Sequence, residues 1–226
     1  MPKLAIIGMG KMGRAIDSLA RERGFDVVAR LGRKEAVSAG SLRGAEVAVE
    51  FTTPASAPGN VRAAIEAGCP VVVGTTGWDG QRAEIERVTR ERNGAVLIAP
   101  NFSPGIAAFA EIVKVAARTL RTMPGFDAHI VETHHSAKQD APSGTAASLE
   151  AQASPGWGNS IPITSIRVGS VPGTHEFLFD APFEQIRLVH LARDRRVFAE
   201  GALHAARWLV GRQGVFSMHD VLEERG

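Results

Sequence analysis

The stretch ETHHSAKQDAPSGTA, residues 132–146, places two adjacent histidines, a lysine, an aspartate and a Pro-Ser-Gly-Thr turn in one short window. Histidine exchanges protons near neutral pH, so His134 and His135 are candidates for acid–base work. The run after Pro142 is helical, which makes Ser143 an N-cap and leaves the amides of Gly144 and Thr145 at a helix N-terminus. Such a terminus offers free N–H groups and a partial positive charge, a cradle for an anion. Lys138 adds a formal charge a short loop away. Together these features describe a pocket for a small carboxylate with proton-transfer groups beside it. A metal centre is the weaker reading. THH ends a strand, adjacent strand residues face opposite ways, and no further Cys or His stands at ligand spacing. No metal is expected.

A second constellation opens the chain. GMGKMG spans Gly8, Met9, Gly10, Lys11, Met12 and Gly13, directly after a β-rich run and at the start of a helical one. In that position the three glycines serve a tight turn, close approach of a pyrophosphate, and close helix–sheet packing. The next strand ends in ARLGRKEA, with Arg30, Arg33 and Lys34 where an acid would otherwise hold a ribose hydroxyl. Basic residues there suit a 2′-phosphate, so the cofactor is NADPH or NADH with NADPH favoured. Three more strands end in small or polar residues. They are Phe51 and Thr52 in FTTP, Gly74, Thr75 and Thr76 in GTTGW, and Ala99, Pro100, Asn101 and Phe102 in APNFSPG. Ligands on open α/β sheets sit beyond these carboxyl ends, so the three runs extend the cofactor groove.

The elements that must hold these residues are readable from periodicity. Strand-like runs at 3–8, 25–32, 45–51, 70–75 and 95–100 alternate with helical runs at 11–24, 56–68 and 78–93. That alternation predicts an α/β fold with a Rossmann-type parallel sheet. After Pro100 the rhythm changes to a long helix at 104–125, a strand at 126–135 and a short helix at 143–152. A loop over 153–162 follows, then three alternating runs that read as an antiparallel meander, and a helix at 196–212. The second part is therefore an α+β domain with an antiparallel or mixed sheet.

Composition excludes several classes. With 26 basic and 24 acidic residues the net charge is +2, no basic arm is present, and the four arginines of 78–93 stand among three glutamates and an aspartate. No nucleic-acid partner is expected. The N-terminal apolar run is too short for a signal peptide or a membrane span, and a single cysteine, Cys69, forbids an internal disulfide. The expectation is a cytoplasmic protein with no membrane partner.

The window 132–146 closely resembles the signature of the dihydrodipicolinate reductase family of diaminopimelate and lysine biosynthesis, in a short form. GMGKMG, FTTP, VVVGTTGW, APNFSPG and RVFAEGALHAARWL are similar to that family's motifs in the same order. The resemblance implies NAD(P)H-dependent reduction of 4-hydroxy-tetrahydrodipicolinate, a small cyclic dicarboxylate, to tetrahydrodipicolinate. It implies that His134 donates the proton, that Lys138 is a second catalytic group, and that His135 contacts substrate. It implies Ser143 as a substrate contact, Gly144 and Thr145 as the carboxylate cradle and, less directly, Arg195 as a substrate contact near the substrate domain's hinge. Residues 8–12, 74–76 and 99–102 would touch the dinucleotide. The resemblance also implies a nucleotide domain of 1–103 plus 197–226, a substrate-binding and oligomerisation domain of 104–196, a domain motion, and a homotetramer. Relative to longer members the segment 147–162 is short.

Two rivals share parts of this pattern. A semialdehyde dehydrogenase needs a nucleophilic cysteine, and Cys69 is the sole candidate. A non-catalytic, redox-sensing dinucleotide-binding module would keep the glycine loop and have no use for His134, His135 and Lys138 beside an anion cradle.

Overall fold

A computed structural model describes residues 1–223. The chain divides into two compact units, Met1–Ser103 with the chain from Arg195 onward, and Pro104–Asp194.

In the first unit the strands are β1 (Lys3–Ile7), β2 (Asp26–Leu31), β3 (Val47–Glu50), β4 (Val71–Val73), β5 (Ala95–Ile98) and β10 (Gly214–Phe216). They form one sheet in the order β2-β1-β3-β4-β5-β10, parallel throughout. Side chains alternate between its faces, so each strand feeds two cores. Leu4, Ile6, Val49 and Leu97 pack with Ile16 of α1 (Lys11–Ala20) and with α7 (Arg196–Leu209). Ala5, Ile7, Val71 and Val96 pack with α3 (Ala57–Glu66) and Ile85 of α4 (Arg82–Glu91). The inner face of α7 is built of Ala199, Gly201, Ala202, Ala205 and Ala206, which lets the helix come close. A Cβ at Gly201 would stand 1.7 Å from the carbonyl oxygen of Phe102. The chain leaves β1 for β2 on one side and returns to β3 on the other, so the β1/β3 boundary is the sheet's topological switch point. Three small elements escaped the periodicity: α2 (Ala39–Leu42), β10 and α8 (Met218–Glu223).

The second unit carries a mixed sheet, order β7-β6-β8-β9. Its strands are β6 (Asp127–His134), β7 (Ile163–Arg167), β8 (Thr174–Ala181) and β9 (Glu184–Leu191). Two helices, α5 (Pro104–Leu120) and α6 (Gly144–Trp157), contribute Phe109, Val113 and Leu149 to the core over one face. The meander expectation is corrected here: β7 pairs parallel with β6, and only β6, β8 and β9 run antiparallel to their neighbours in turn. The cause is α6, which runs on through Pro155 to Trp157 where the sequence reads as loop. A parallel pair needs a long crossover, and this helix supplies it. Its last turn is held by Glu150, which accepts hydrogen bonds from the Ser154 and Ser160 hydroxyls and the Ile161 amide. Gly158 then closes it in the left-handed region at φ 94°.

Candidate active site

In the first unit the glycine loop lies at the switch point. Gly8 has φ 100°, and a Cβ there would stand 2.1 Å from the Phe51 carbonyl oxygen. Gly13 is as constrained, with a Cβ position 1.9 Å from the Gly8 oxygen, so α1 sits tight against β1. Around Gly10 nothing lies within 4 Å of a Cβ position, and no side chain caps α1. Open space in front of uncapped amides fits a pyrophosphate. Arg33 and Lys34 are exposed and make no ion pair among the described residues, whereas Arg30 is bound to Asp17 at 2.8 Å. Glu35 folds back to accept from the Gly32 amide at 2.8 Å, which leaves the loop's outward charge positive.

The other expected groove residues divide into two kinds. Met9, Lys11, Met12, Thr76, Pro100 and Asn101 are partly or fully exposed. Phe102 and Ala99 are buried in the core, so only their backbone can face a ligand. Gly74 is needed for packing, because a Cβ there would enter the Phe51 ring at 2.0 Å. The Thr52 and Thr75 hydroxyls both donate to Glu50, and Thr75 accepts from the Thr52 amide at 2.8 Å. Glu50 is fully buried and burial pushes its carboxyl up. It ties the ends of β3 and β4 together, a role the sequence did not reveal.

In the second unit, Ala128, Ile130, Glu132 and His134 line the helix-covered face of β6. The face is apolar at one end, against Phe177 and Phe179, and polar at the other. Its polar end gathers Glu132, His134, Arg167 from β7 and His175 from β8. Arg167 pairs in register with His134, and His175 with Glu132. His134 Nδ1 bonds the carboxylate of Glu132, and Arg167 Nη2 donates to the same carboxylate at 2.7 Å. Burial favours a neutral Glu132, but hydrogen bonds from Arg167, Ser165 and His134 outweigh it and hold the group down at about 2. For His134, burial lowers the pKa more than Glu132 raises it. Burial pushes His175 further, to about 3.

Ser143 is the N-cap of α6, its hydroxyl accepting from the Ala146 amide at 3.1 Å with His175 Nε2 at 3.4 Å. That hydroxyl is therefore engaged in structure, and Ser143 serves the site by shaping the helix start. Gly144 and Thr145 occupy the first turn beyond it. Lys138 is partly buried, paired with Asp140 at 2.7 Å, and close enough to lower the His134 pKa. His135 is half-buried on the same turn. The sequence-expected residues 134, 135, 138 and 143–145 thus share one unit, while Arg195 opens α7 in the other. Ligand-type atoms of Glu132, His134 and His175 lie within 4.8 Å of one another. The carboxylate between them is already engaged by Arg167 and His134, so the cluster is an ion-pair network. Cys69 is buried and pushed up to about 12 by burial, which removes the nucleophile a semialdehyde dehydrogenase needs.

Sequence reasoning missed Glu132, Arg167, Gly173 and His175. Glu132 was findable, since it precedes His134 by two on a strand and so shares its face. Arg167 and His175 arrive by strand pairings that local pattern does not encode, and Gly173, just before β8, is recognised only because a Cβ there would stand 3.1 Å from His134 Nε2.

The family models that match are described as dihydrodipicolinate reductase, N-terminus, over residues 2–102, and dihydrodipicolinate reductase, C-terminus, over 105–222. A 4-hydroxy-tetrahydrodipicolinate reductase of Christiangramia forsetii is 32% identical over 235 residues, covering 98% of each chain. One of Xanthomonas euvesicatoria is 38% identical over 229 residues, covering 94% of each. Among solved structures, a dipicolinate-bound dihydrodipicolinate reductase of Paenisporosarcina sp. TG-14 has the same fold, with a TM-score of 0.74, 21% identity, and coverage of 96% of this chain and 97% of that one.

Proposed function

The chain belongs to the dihydrodipicolinate reductase family, and from that premise we propose that it reduces 4-hydroxy-tetrahydrodipicolinate to tetrahydrodipicolinate with NAD(P)H, releasing water, in diaminopimelate and lysine biosynthesis. The observation that carries the reading is His134 at the end of β6, hydrogen-bonded through Nδ1 to the buried Glu132 carboxylate, with Lys138 and the start of α6 close by in the same unit.

When bound, the reduced nicotinamide supplies the hydride to an electrophilic ring carbon conjugated with C=N. Lys138 and the amides of Gly144 and Thr145 hold a substrate carboxylate, with His135 as a further contact. A substrate carboxylate competes with Asp140 for the Lys138 ammonium. His134 delivers the balancing proton, assisted by Lys138. Gly8 through Gly13, with the ends of β3, β4 and β5 at Phe51–Thr52, Gly74–Thr76 and Ala99–Phe102, receive the dinucleotide. Arg33 with Lys34 gives the preference for NADPH, through the 2′-phosphate. Arg195, the residue that precedes α7, is a further substrate contact by the family resemblance.

A homotetramer is part of the proposal. The face of the mixed sheet turned away from α5 and α6 exposes Ile166, Val189 and Leu191, the last at 58%. No helix of the second unit covers it, and a second copy is the occupant this family resemblance favours.

The test is a coupled assay. Substrate made in situ from pyruvate and aspartate semialdehyde by a synthase should drive loss of NAD(P)H absorbance only when the synthase product is present. His134→Gln should lower kcat by about 10²–10⁴, and Lys138→Ala should lower it as well. Arg33→Ala with Lys34→Ala should raise KM for NADPH and leave that for NADH unchanged. Near-normal turnover in both His134→Gln and Lys138→Ala would overturn the role assignment.

A further inference from the structure

We propose that Glu132 and Arg167 are positioning residues that set His134 and Lys138 as one unit: the carboxylate fixes the imidazole with Nδ1 inward and Nε2 as its working nitrogen, and the guanidinium locks that carboxylate to the Lys138 turn. The inference rests on the reading of His134 as proton donor and deepens it.

The connections are continuous. Glu132 is fully buried and its Oε2 receives His134 Nδ1. Its Oε1 accepts from Arg167 Nη2 at 2.7 Å and faces the Ser143 amide at 3.4 Å. The same Arg167 nitrogen donates to the Asp140 carbonyl at 2.6 Å, and the Asp140 side chain holds Lys138 Nζ at 2.7 Å. One guanidinium thus reaches the strand that carries His134, the turn that carries Lys138 and, through Glu132, the start of α6.

The other side of the imidazole is kept clear. A Cβ at Gly173 would come within 3.1 Å of His134 Nε2, so glycine leaves that nitrogen room. The charged and titratable groups that act on the ring are Glu132 on its own strand, Lys138 on the turn and Arg167 on β7. His175 on β8 stands edge-on at 5.3 Å. Lys138 and Arg167 disfavour an imidazolium, as does burial; Glu132 alone among them favours it. Glu132 therefore determines both which nitrogen carries the resting proton and how readily the second proton is held at Nε2 for transfer.

The experiment compares wild type, Glu132→Gln, Glu132→Asp and Arg167→Lys as full-length protein. Imidazole nitrogen NMR reads the His134 tautomer and its pKa, and steady-state kinetics across pH read kcat and KM. The wild-type ring should carry its proton on Nδ1. Glu132→Gln should lose that preference, lower kcat about 100-fold with little change in KM, and move the high-pH loss of rate to lower pH, because the imidazolium has lost its stabilising partner. Glu132→Asp should restore part of both. A residue that merely supports the fold would reduce the yield of folded protein but leave the tautomer and the pH limb of the folded fraction alone. If Glu132→Gln does not fold, Arg167→Lys reads the same limb, and an unmoved limb there overturns the proposal. A wild-type ring protonated on Nε2 also overturns it. Absence of reductase activity in wild type would instead remove the functional reading, and the NMR result would still decide the positioning.

Discussion

His134 differs from an ordinary strand histidine in what each nitrogen meets. Nδ1 meets a buried carboxylate and Nε2 meets space kept by a glycine. Gly173→Ala tests that space directly. The added methyl should press on the imidazole and cut kcat of the folded protein by about tenfold or more, and because Gly173 stands at φ 156° the melting temperature should fall as well; an unchanged kcat would show that the ring gives way freely. At this scale the sequence was informative where chemistry is local. The window 132–146 announced His134, Lys138 and the α6 start because turn, cap and charge are encoded by neighbours. For Ser143 it gave two roles, helix cap and substrate contact, because a cap hydroxyl and a ligand hydroxyl look alike in sequence; the Ala146 amide donating to it shows the cap.

At the scale of elements, the polar end of the mixed sheet makes the second unit sensitive to acid. His175 is pushed by burial to about 3 from an ordinary value of 6.5. The unfolded chain takes up protons below 6.5 and the folded one does not, so stability is full above 6.5 and falls as pH drops from there toward 3. His134 and His190 are lowered too and steepen the same slope. Urea unfolding measured between pH 7 and 5 should show this loss, and His175→Gln should flatten it. A slope identical to wild type would mean that His175 is protonated in the folded state. The parallel sheet was legible because its strands are continuous apolar runs buried on both faces. The placement of β7 was not. Pro155 and Gly156 read as helix breakers, and only the Glu150 network and the packing of Trp157 on Phe179 show why α6 continues past them.

At the scale of the whole molecule, the first unit is built from two distant parts of the chain. Without α7 the sheet face bearing Leu4, Val49 and Leu97 would lie bare, and β5 would lose its neighbour β10. A chain ending at Asp194 should therefore fail to bind NADPH and expose apolar surface to a hydrophobic dye, although the whole glycine loop is present. Tight dinucleotide binding by that truncated chain would show α7 to be dispensable. The outer sheet face supplies a second whole-molecule prediction. If the proposed tetramer forms through this face, Val189→Asp with Leu191→Asp should lower the light-scattering mass relative to wild type, and an unchanged mass would move the interface elsewhere.

The return of the last segments to the first sheet has a consequence for the birth of the protein. Synthesis proceeds from the N-terminus, so β1 to β5 leave the ribosome long before the helix that shields them. The second unit is one uninterrupted stretch, Pro104–Asp194, and can complete itself while its host waits. The nascent chain therefore carries a finished insert and an unfinished Rossmann sheet whose β5 edge is unpaired. Until α7 emerges, that half-built sheet is the part of the molecule in most need of a chaperone.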